Sequence, residues 1–382
     1  MNPQIYFFYC GAGDTILAGV NDEWALIDCN LTADSGVRKR LLNVLEKHNV
    51  TRLRFVCVTH YDSDHLRGLG DLLESRFSEE LGDGTDRRRW LVEQVIQPLQ
   101  VKDIDRAMPK LHAIIDRLHK SKKKLAFSKQ ALRFLDIAYR MLIDSDALPP
   151  QERVYFPVYD SVPHFLGVPP FIFRQRALLG PFEVGFLAPE QPVADRFEVG
   201  KLSALYDANP RAEVLLDTVT NNAISRVVVF RHTKTSQAVL FSGDAPSDCW
   251  TDILRRWEQF RPIGLRNGET PRWREFHVVK VSHHGSVHSH HQPLYSTWCV
   301  PDKTVAVIST RTGDPDHPHQ TVMDDLLSSR MDVRLTCPHG VLRRRLKRGP
   351  FLGGRSVAPK PQATDIHIEF KPTGLTVTPI PI

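Results

Sequence analysis

The feature that most constrains this chain is a short loop with two histidines and two aspartates, THYDSDH at residues 59–65. The apolar run LRFVCV precedes it and LRGLGDLL follows it, a pattern that predicts a strand, a loop and a helix. Imidazole nitrogens and carboxylate oxygens are the usual ligands of zinc, manganese and iron. Two interpretations stay open here: the loop binds metal, or Asp62 or Asp64 caps the following helix, which requires no metal.

The apolar runs divide the chain into three stretches. Short strand-like runs, turns and one helical run alternate from Ile5 to about Gly70, and strand-like runs such as FEVGFLAP and QAVLF return from about Pro170. Between them, WLVEQVIQPLQ, MPKLHAIIDRLHK and KQALRFLDIAYRMLI space their apolar residues as helices do. We therefore expect residues 1–75 and 166–382 to form one α/β layered domain, interrupted by a helical insertion at residues 76–165.

Composition indicates a globular protein with a weak preference for an anionic partner. Of 382 residues, 41% are hydrophobic and 25% are charged, and the net charge is +6. Basic runs at 86–90, 120–124 and 343–348 could bind phosphates, although a solvated surface is the commoner explanation for any one of them. No signal pattern and no apolar stretch of the roughly 20 residues that a bilayer requires is present, so we expect a cytoplasmic protein without a membrane partner.

Further ligand-type residues follow other predicted strands. Asp244 comes directly after QAVLF, His283 and His284 come after HVVKV, and His317 lies in the loop after VAVIS. Each has an ordinary explanation, as a turn residue, a solvated loop or a surface residue before proline. Because α/β proteins assemble their sites where successive strands end, we expect these side chains to converge with the first loop.

Together these motifs resemble a known family. THYDSDH matches the H-x-[HD]-x-D-H signature of the metallo-β-lactamase fold. The aspartate in its third place, followed by SGDA, SHHGS and a late HP, is similar to the hydrolase domain of ComEC-type DNA-uptake proteins. GAGDTILAG with WALIDCN resembles the first hairpin of that domain, and TNNAISRVVVF resembles the strand before its Gly-Asp motif. The resemblance implies an αββα metallo-β-lactamase sandwich.

The resemblance also implies two divalent metal ions, zinc or manganese, and a ligand set. His60 and Asp62 would hold the first ion, Asp64 and His65 the second, and Asp244 would bridge them, with His283 as the histidine ligand after the next strand. One departure concerns the histidine that zinc-rich members carry before the Gly-Asp motif. His232 is at the wrong end of its strand for this role, so the first position is expected to be oxygen-rich and to favour manganese.

Two ions sharing one water imply hydrolysis by a bridging hydroxide. The residues expected to take part in catalysis are Asp64, Asp244, His284 and His317, and those expected to bind substrate are Gly285, Ser286 and Asn222. The preferred function is a phosphodiesterase or nuclease acting on a nucleic acid or nucleotide, with a possible protein partner at the helical insertion. The alternatives are a hydrolase of a carboxylic ester, thioester or lactam, and a non-catalytic binding protein.

Overall fold

The computed structural model describes residues 2–32, 36–77, 91–98, 129–145, 178–189, 193, 218–235, 237–260, 275–311, 314–337 and 363–382. The three basic runs and the MPKLHAIIDRLHK segment lie outside these residues.

The strands, in chain order, are β1 (Gln4–Phe7), β2 (Thr15–Val20), β3 (Glu23–Cys29), β4 (Arg52–Cys57), β5 (Leu91–Val92), β6 (Val95–Ile96), β7 (Leu178–Leu179), β8 (Phe182–Ala188), β9 (Val227–His232), β10 (Ala238–Phe241), β11 (Phe276–Lys280), β12 (Val305–Ile308), β13 (Asp332–Leu335), β14 (Thr364–Lys371) and β15 (Gly374–Pro381). The helices are α1 (Val37–Lys47), α2 (Ser63–Leu66), α3 (Leu69–Phe77), α4 (Lys129–Ser145), α5 (Thr218–Ala223), α6 (Ser247–Phe260), α7 (Gln292–Trp298) and α8 (Gln320–Ser328).

The described strands form two sheets. The first has the order β15-β14-β1-β2-β3-β4-β5, with β6 also paired to β4, and the second has the order β13-β12-β11-β10-β9-β8-β7. In the first sheet β3 and β4 are parallel, and in the second the pairs β10–β11, β11–β12 and β12–β13 are parallel, whereas β9 and β10 are antiparallel. The loops that follow these strands therefore emerge at the carboxyl ends, where the ligand-type residues were expected.

Three apolar layers hold the structure together. One lies between the two sheets and joins residues such as Phe7, Phe55 and Phe230. A second packs α1, α3 and α4 on the outer face of the first sheet, and a third packs α6, α7 and α8 on the second sheet. Helices outside and two sheets inside make an αββα sandwich, as expected. Burial of these apolar side chains supplies the main stabilisation, at roughly 25 cal/mol per Å² removed from water.

The WLVEQVIQPLQ segment differs from its predicted helix. Leu91–Val92 and Val95–Ile96 are short strands that pair in parallel with β4. Val95 belongs to the helix-side core, whereas Ile96 lies between the sheets. Leu91 and Val95, like Val92 and Ile96, are apolar residues four positions apart, a spacing that fits one face of a helix as well as two short strands. Hydrogen bonding to β4 selects the strands. KQALRFLDIAYRMLI is confirmed as helix α4, while the division into a hydrolase domain and an insertion stays a prediction.

None of the helices in the described ranges combines the length and the apolar character of a membrane span. The six cysteines are free thiols, and all but Cys249 are buried.

Candidate metal centre

The centre forms where loops from the two sheets meet. His60, Asp62, Asp64 and His65 follow β4 in the first sheet, and Asp244 follows β10 in the second. Gly243 brings the two loops together, because a Cβ at this position would lie 2.9 Å from the Thr59 Cβ. Its φ of +52° is also in the left-handed region that favours glycine.

Asp244 lies in the middle of the histidines. Its Oδ1 is 3.4 Å from the His65 Nε2. Its Oδ2 is 3.8 Å from the His60 Nε2, 3.7 Å from the His283 Nε2 and 3.9 Å from the His284 Nε2. The two oxygens thus face different sets of imidazoles, the arrangement that a bridging carboxylate requires.

Two further carboxylates border the cluster. Asp62 Oδ2 is 3.5 Å from the His60 Nε2, and Asp64 Oδ2 is 3.4 Å from the His284 Nε2 and 3.9 Å from that of His65. Asp62 is also the N-cap residue of α2, but its side chain accepts no capping hydrogen bond. The helix-cap explanation therefore does not account for this carboxylate.

Three imidazoles are oriented by contacts at Nδ1, while their Nε2 atoms face Asp244. Nδ1 of His60 contacts the Thr59 hydroxyl at 3.1 Å, Nδ1 of His65 contacts Asp28 Oδ2 at 2.8 Å, and Nδ1 of His284 contacts a backbone carbonyl at 3.1 Å. The Thr59 hydroxyl donates to Asp28, so it accepts from His60. Each neutral ring then carries its proton on Nδ1. All three Nε2 atoms are buried without a hydrogen-bond partner and offer their lone pairs to the centre.

With neutral imidazoles, the cluster carries an excess of negative charge. It contains the carboxylates of Asp14, Asp28, Asp62, Asp64 and Asp244 and the ammonium of Lys280. The carboxylates and the ammonium together leave four negative charges, which is the charge that two divalent ions neutralise.

The pKa directions in the cluster follow from the same imbalance. Burial lowers the pKa of His65, but the Asp244, Asp28 and Asp64 carboxylates outweigh it and hold the pKa well above its ordinary value. Burial raises the pKa of Asp244, but His65, His284 and Lys280 hold it well below its usual range. The carboxylates thus favour a second proton, and with it a positive charge, on these imidazoles. A metal ion bound at the Nε2 atoms would take the place of that proton.

The tandem histidines both face Asp244. An extended backbone would point adjacent side chains in opposite directions. His283 and His284 instead have φ values of 48° and 54° in a turn that follows β11. His284 is buried and its side chain is 7% exposed, whereas that of His283 is 29% exposed. A group of potential ligand atoms within 4.8 Å of one another comprises Asp14, His65, Asp244 and His284.

A cavity of about 230 Å³ adjoins the cluster and is lined by two of the residues expected to take part in catalysis, His284 and His317, but by none of those expected to bind substrate. Its lining includes His284, Thr310, Arg311, Asp314 and His317. His317 stacks on His283 with ring centroids 5.5 Å apart, and its Nδ1 lies 3.3 Å from Asp314.

The residues expected to bind substrate make local contacts. The backbone N–H of Ser286 donates to the His283 carbonyl, and its hydroxyl oxygen accepts from His288. Asn222 lies in α5, where the neighbouring Asn221 donates a 2.9 Å hydrogen bond to Asp62. Gly285 packs against Pro318, since a Cβ there would lie 2.7 Å from the Pro318 Cβ. The catalytic, metal-binding and substrate-binding assignments stay predictions.

His232 lies away from the centre. It ends β9, whose antiparallel register pairs Arg231 with Ala238 at the beginning of β10, whereas Asp244 follows the other end of β10. Its Nδ1 accepts hydrogen bonds from the backbone of Lys234 and Thr235.

Three buried residues of the cluster were not singled out from the sequence: Asp14, Asp28 and Lys280. Asp28 is the acidic residue at the end of the apolar run WALID, and Lys280 is the basic residue inside HVVKV. A charge within a buried strand requires a partner, and this signal could have identified both residues.

The αββα sandwich of the chain is the metallo-β-lactamase fold. The members of the superfamily that gives this fold its name are mostly metal-dependent hydrolases. The family described as "Metallo-beta-lactamase superfamily" matches residues 9–125, about a third of the chain.

Among solved structures, the chain is similar to the metallo-beta-lactamase fold protein YhfI from Bacillus subtilis. The identity is 10% and the TM-score 0.38, over 88% of this chain and 97% of that one. No curated protein is significantly similar in sequence. The finer resemblance to ComEC-type proteins stays a prediction.

Proposed function

We propose that the protein is a metal-dependent phosphodiesterase that acts on a nucleic acid or nucleotide. The observation that carries the proposal is the convergence of three unpartnered, buried imidazole Nε2 atoms on the carboxylate of Asp244. Buried polar atoms without partners are costly, and a cation is the partner that suits imidazole and carboxylate together.

The residues divide into two sets around Asp244. His60 and His283 face one of its oxygens and would hold the first ion together with Asp62, which lies 3.5 Å from His60. His65 faces the other oxygen and would hold the second ion together with Asp64 and His284; His284 lies 3.4 Å from Asp64 and 3.9 Å from the first oxygen of Asp244. Divalent ions held there would supply an activated water and would neutralise charge on the attacked phosphate. Asp28 holds the ring of His65, and a backbone carbonyl holds that of His284, so the ligand atoms are oriented before substrate binds.

The adjoining cavity supports a phosphodiester over a neutral acyl substrate. Besides Ala12 and His284, its lining consists of polar or charged residues: Thr310, Arg311, Asp314, Asp316 and His317. The Arg311 side chain is 57% exposed and its Nε pairs with Asp314, which positions the guanidinium at the rim. A site for an ester or lactam would present mainly apolar side chains. The net charge of +6 favours an anionic substrate as well.

The test is hydrolysis of three chromogenic substrates by protein loaded with Mn²⁺ or Zn²⁺: bis(p-nitrophenyl) phosphate, p-nitrophenyl butyrate and a chromogenic cephalosporin. We expect metal-dependent turnover of the phosphodiester, abolished by Asp244→Asn. Asp252→Asn removes a carboxylate from an exposed ion pair on α6 and should leave the rate unchanged. Faster turnover of the butyrate or the cephalosporin would refute the phosphodiesterase assignment.

Short single-stranded DNA, RNA and cyclic dinucleotides then define the substrate class. We expect cleavage of at least one of them, with a rate that falls as salt concentration rises because phosphate contacts release counterions. Metal binding without turnover of any phosphodiester would favour the non-catalytic alternative.

A further inference from the structure

Lys280 is a buried cation beside the proposed ligands. It is the last residue of β11, and its side chain is 1% exposed. Its Nζ forms an ion pair with Asp14 Oδ2, donates a 3.1 Å hydrogen bond to the Gly243 carbonyl and lies 3.6 Å from Asp244 Oδ1. The ammonium therefore lies between two carboxylates, one of which is the proposed bridging ligand.

Asp14 approaches the cluster from behind His65. Its Oδ2 is 3.8 Å from the His65 Nδ1, the atom that pairs with Asp28. Asp64 and Asp244 approach the same ring at Nε2, the atom that faces the centre. Oδ2 of Asp14 is thus on the side of the ring that Asp28 already engages, and Lys280 is its counter-ion. Asp14 also belongs to the group of potential ligand atoms within 4.8 Å of one another, so this pairing competes with metal binding by Asp14.

We propose that Asp14 and Lys280 form a buried charge pair that withholds Asp14 from the second metal position and sets the metal affinity of that position. The inference rests on the proposed metal centre. It assigns both residues a positioning role, acting through Asp244 and His65.

The sign of the effect follows from the charges. Without Lys280, both Asp14 and Asp244 lose a competing cation, and the position gains one negative charge. Without the carboxylate of Asp14, the ammonium has Asp244 as its remaining anionic partner within 4 Å among the described residues, so it competes there with the metal. Removing both charges together leaves the net charge around the second metal position unchanged.

The experiment measures Mn²⁺ binding by calorimetry to metal-free protein carrying Asp14→Asn, Lys280→Met or both substitutions. We expect the Kd of Asp14→Asn to rise about 10- to 100-fold, as for other residues that support metal ligands. The Kd of Lys280→Met should fall about tenfold. The double variant should return to within about threefold of the unaltered protein, which a double-mutant cycle reports as coupling.

Asp365→Asn is the matched control, because it breaks another buried ion pair, with Arg40, away from the centre. It should lower the melting temperature of the metal-free protein without changing Mn²⁺ affinity. A single variant with an unpaired buried charge can fail to fold, and the double variant then decides.

Three results would overturn the inference. Loss of Mn²⁺ binding in the double variant would make Asp14 a ligand itself. Unchanged affinity in all three variants would give the pair a purely structural role. Failure of the unaltered protein to bind Mn²⁺ would refute the metal centre and with it the proposed function, whereas the first two results refute this inference alone.

Discussion

Gly13 offers the sharpest test of how the centre is positioned. It lies in the loop before β2, with a φ of +114° that L side chains rarely adopt. A Cβ at this position would overlap the carbonyl oxygen of Asp64 and lie 2.9 Å from its carbonyl carbon. The neighbouring Asp14 N–H donates a 3.2 Å hydrogen bond to that same carbonyl. Gly13→Ala therefore pushes the Asp14 loop and the Asp64–His65 turn apart.

The displacement can be worked out from the contact distance. Carbon atoms prefer separations of about 3.5–4.0 Å, so the Asp64 carbonyl has to move on the order of 1 Å. Misplacement of that size typically reduces turnover about 100-fold. Metal affinity should fall about 10- to 100-fold, as when other supports of ligands are lost. Overpacking should lower the free energy of unfolding by about 1–3 kcal/mol.

Gly11→Ala is the matched control in the same loop. Gly11 also has a positive φ, of +78°, but a Cβ there meets nothing within 4 Å. Gly11→Ala therefore introduces the same kind of backbone strain as Gly13→Ala but no collision with the Asp64 carbonyl. We expect a modest loss of stability and unchanged Mn²⁺ affinity. The assays are urea unfolding, calorimetry with Mn²⁺ and turnover of bis(p-nitrophenyl) phosphate. If Gly13→Ala matches Gly11→Ala in metal affinity and turnover, the loop does not position the centre and the reasoning is wrong.

The remaining predictions concern three side chains and the metal. Asp28→Asn should weaken Mn²⁺ binding about 10- to 100-fold in calorimetry, because both oxygens of Asp28 accept hydrogen bonds, from Thr59 and from the Nδ1–H of His65, and an amide has only one acceptor oxygen. Asp64→Ala should abolish metal-dependent turnover while far-UV circular dichroism stays unchanged; full activity would contradict its role. Chelation should remove turnover, and added Mn²⁺ or Zn²⁺ should restore it; activity that persists after metal analysis shows none would exclude the centre. Burial, with Lys47 adding to it, lowers the pKa of His367 to about 4. Because its unfolded value is about 6.5, stability should fall as pH drops from about 6.5 to 4, and urea unfolding of His367→Gln should show a smaller loss.

Several elements were predictable because their signals are local. TILAGV and WALIDCN read as paired strands around a turn, and β2 and β3 pair across Asn21, whose φ is 54°. KQALRFLDIAYRMLI reads as an amphipathic helix and forms α4. The prediction of a helix for WLVEQVIQPLQ was wrong. Its apolar spacing fits a helix and two short strands equally, and pairing with the edge of β4 selects the strands.

The sequence by itself indicated many of the strands and helices and the presence of ligand-type residues where strands end. Asp244 and the THYDSDH loop follow strands of different sheets, so the packing of the two sheets brings them together. Only the tertiary structure decided which atoms face the centre. The turn of His283 and His284 has a left-handed backbone and contacts the loops at Gly243 and Ser309. Asp14 pairs with Lys280, which lies more than 200 residues further along the chain. Such contacts are set by packing and charge compensation across the fold, which local spacing does not encode.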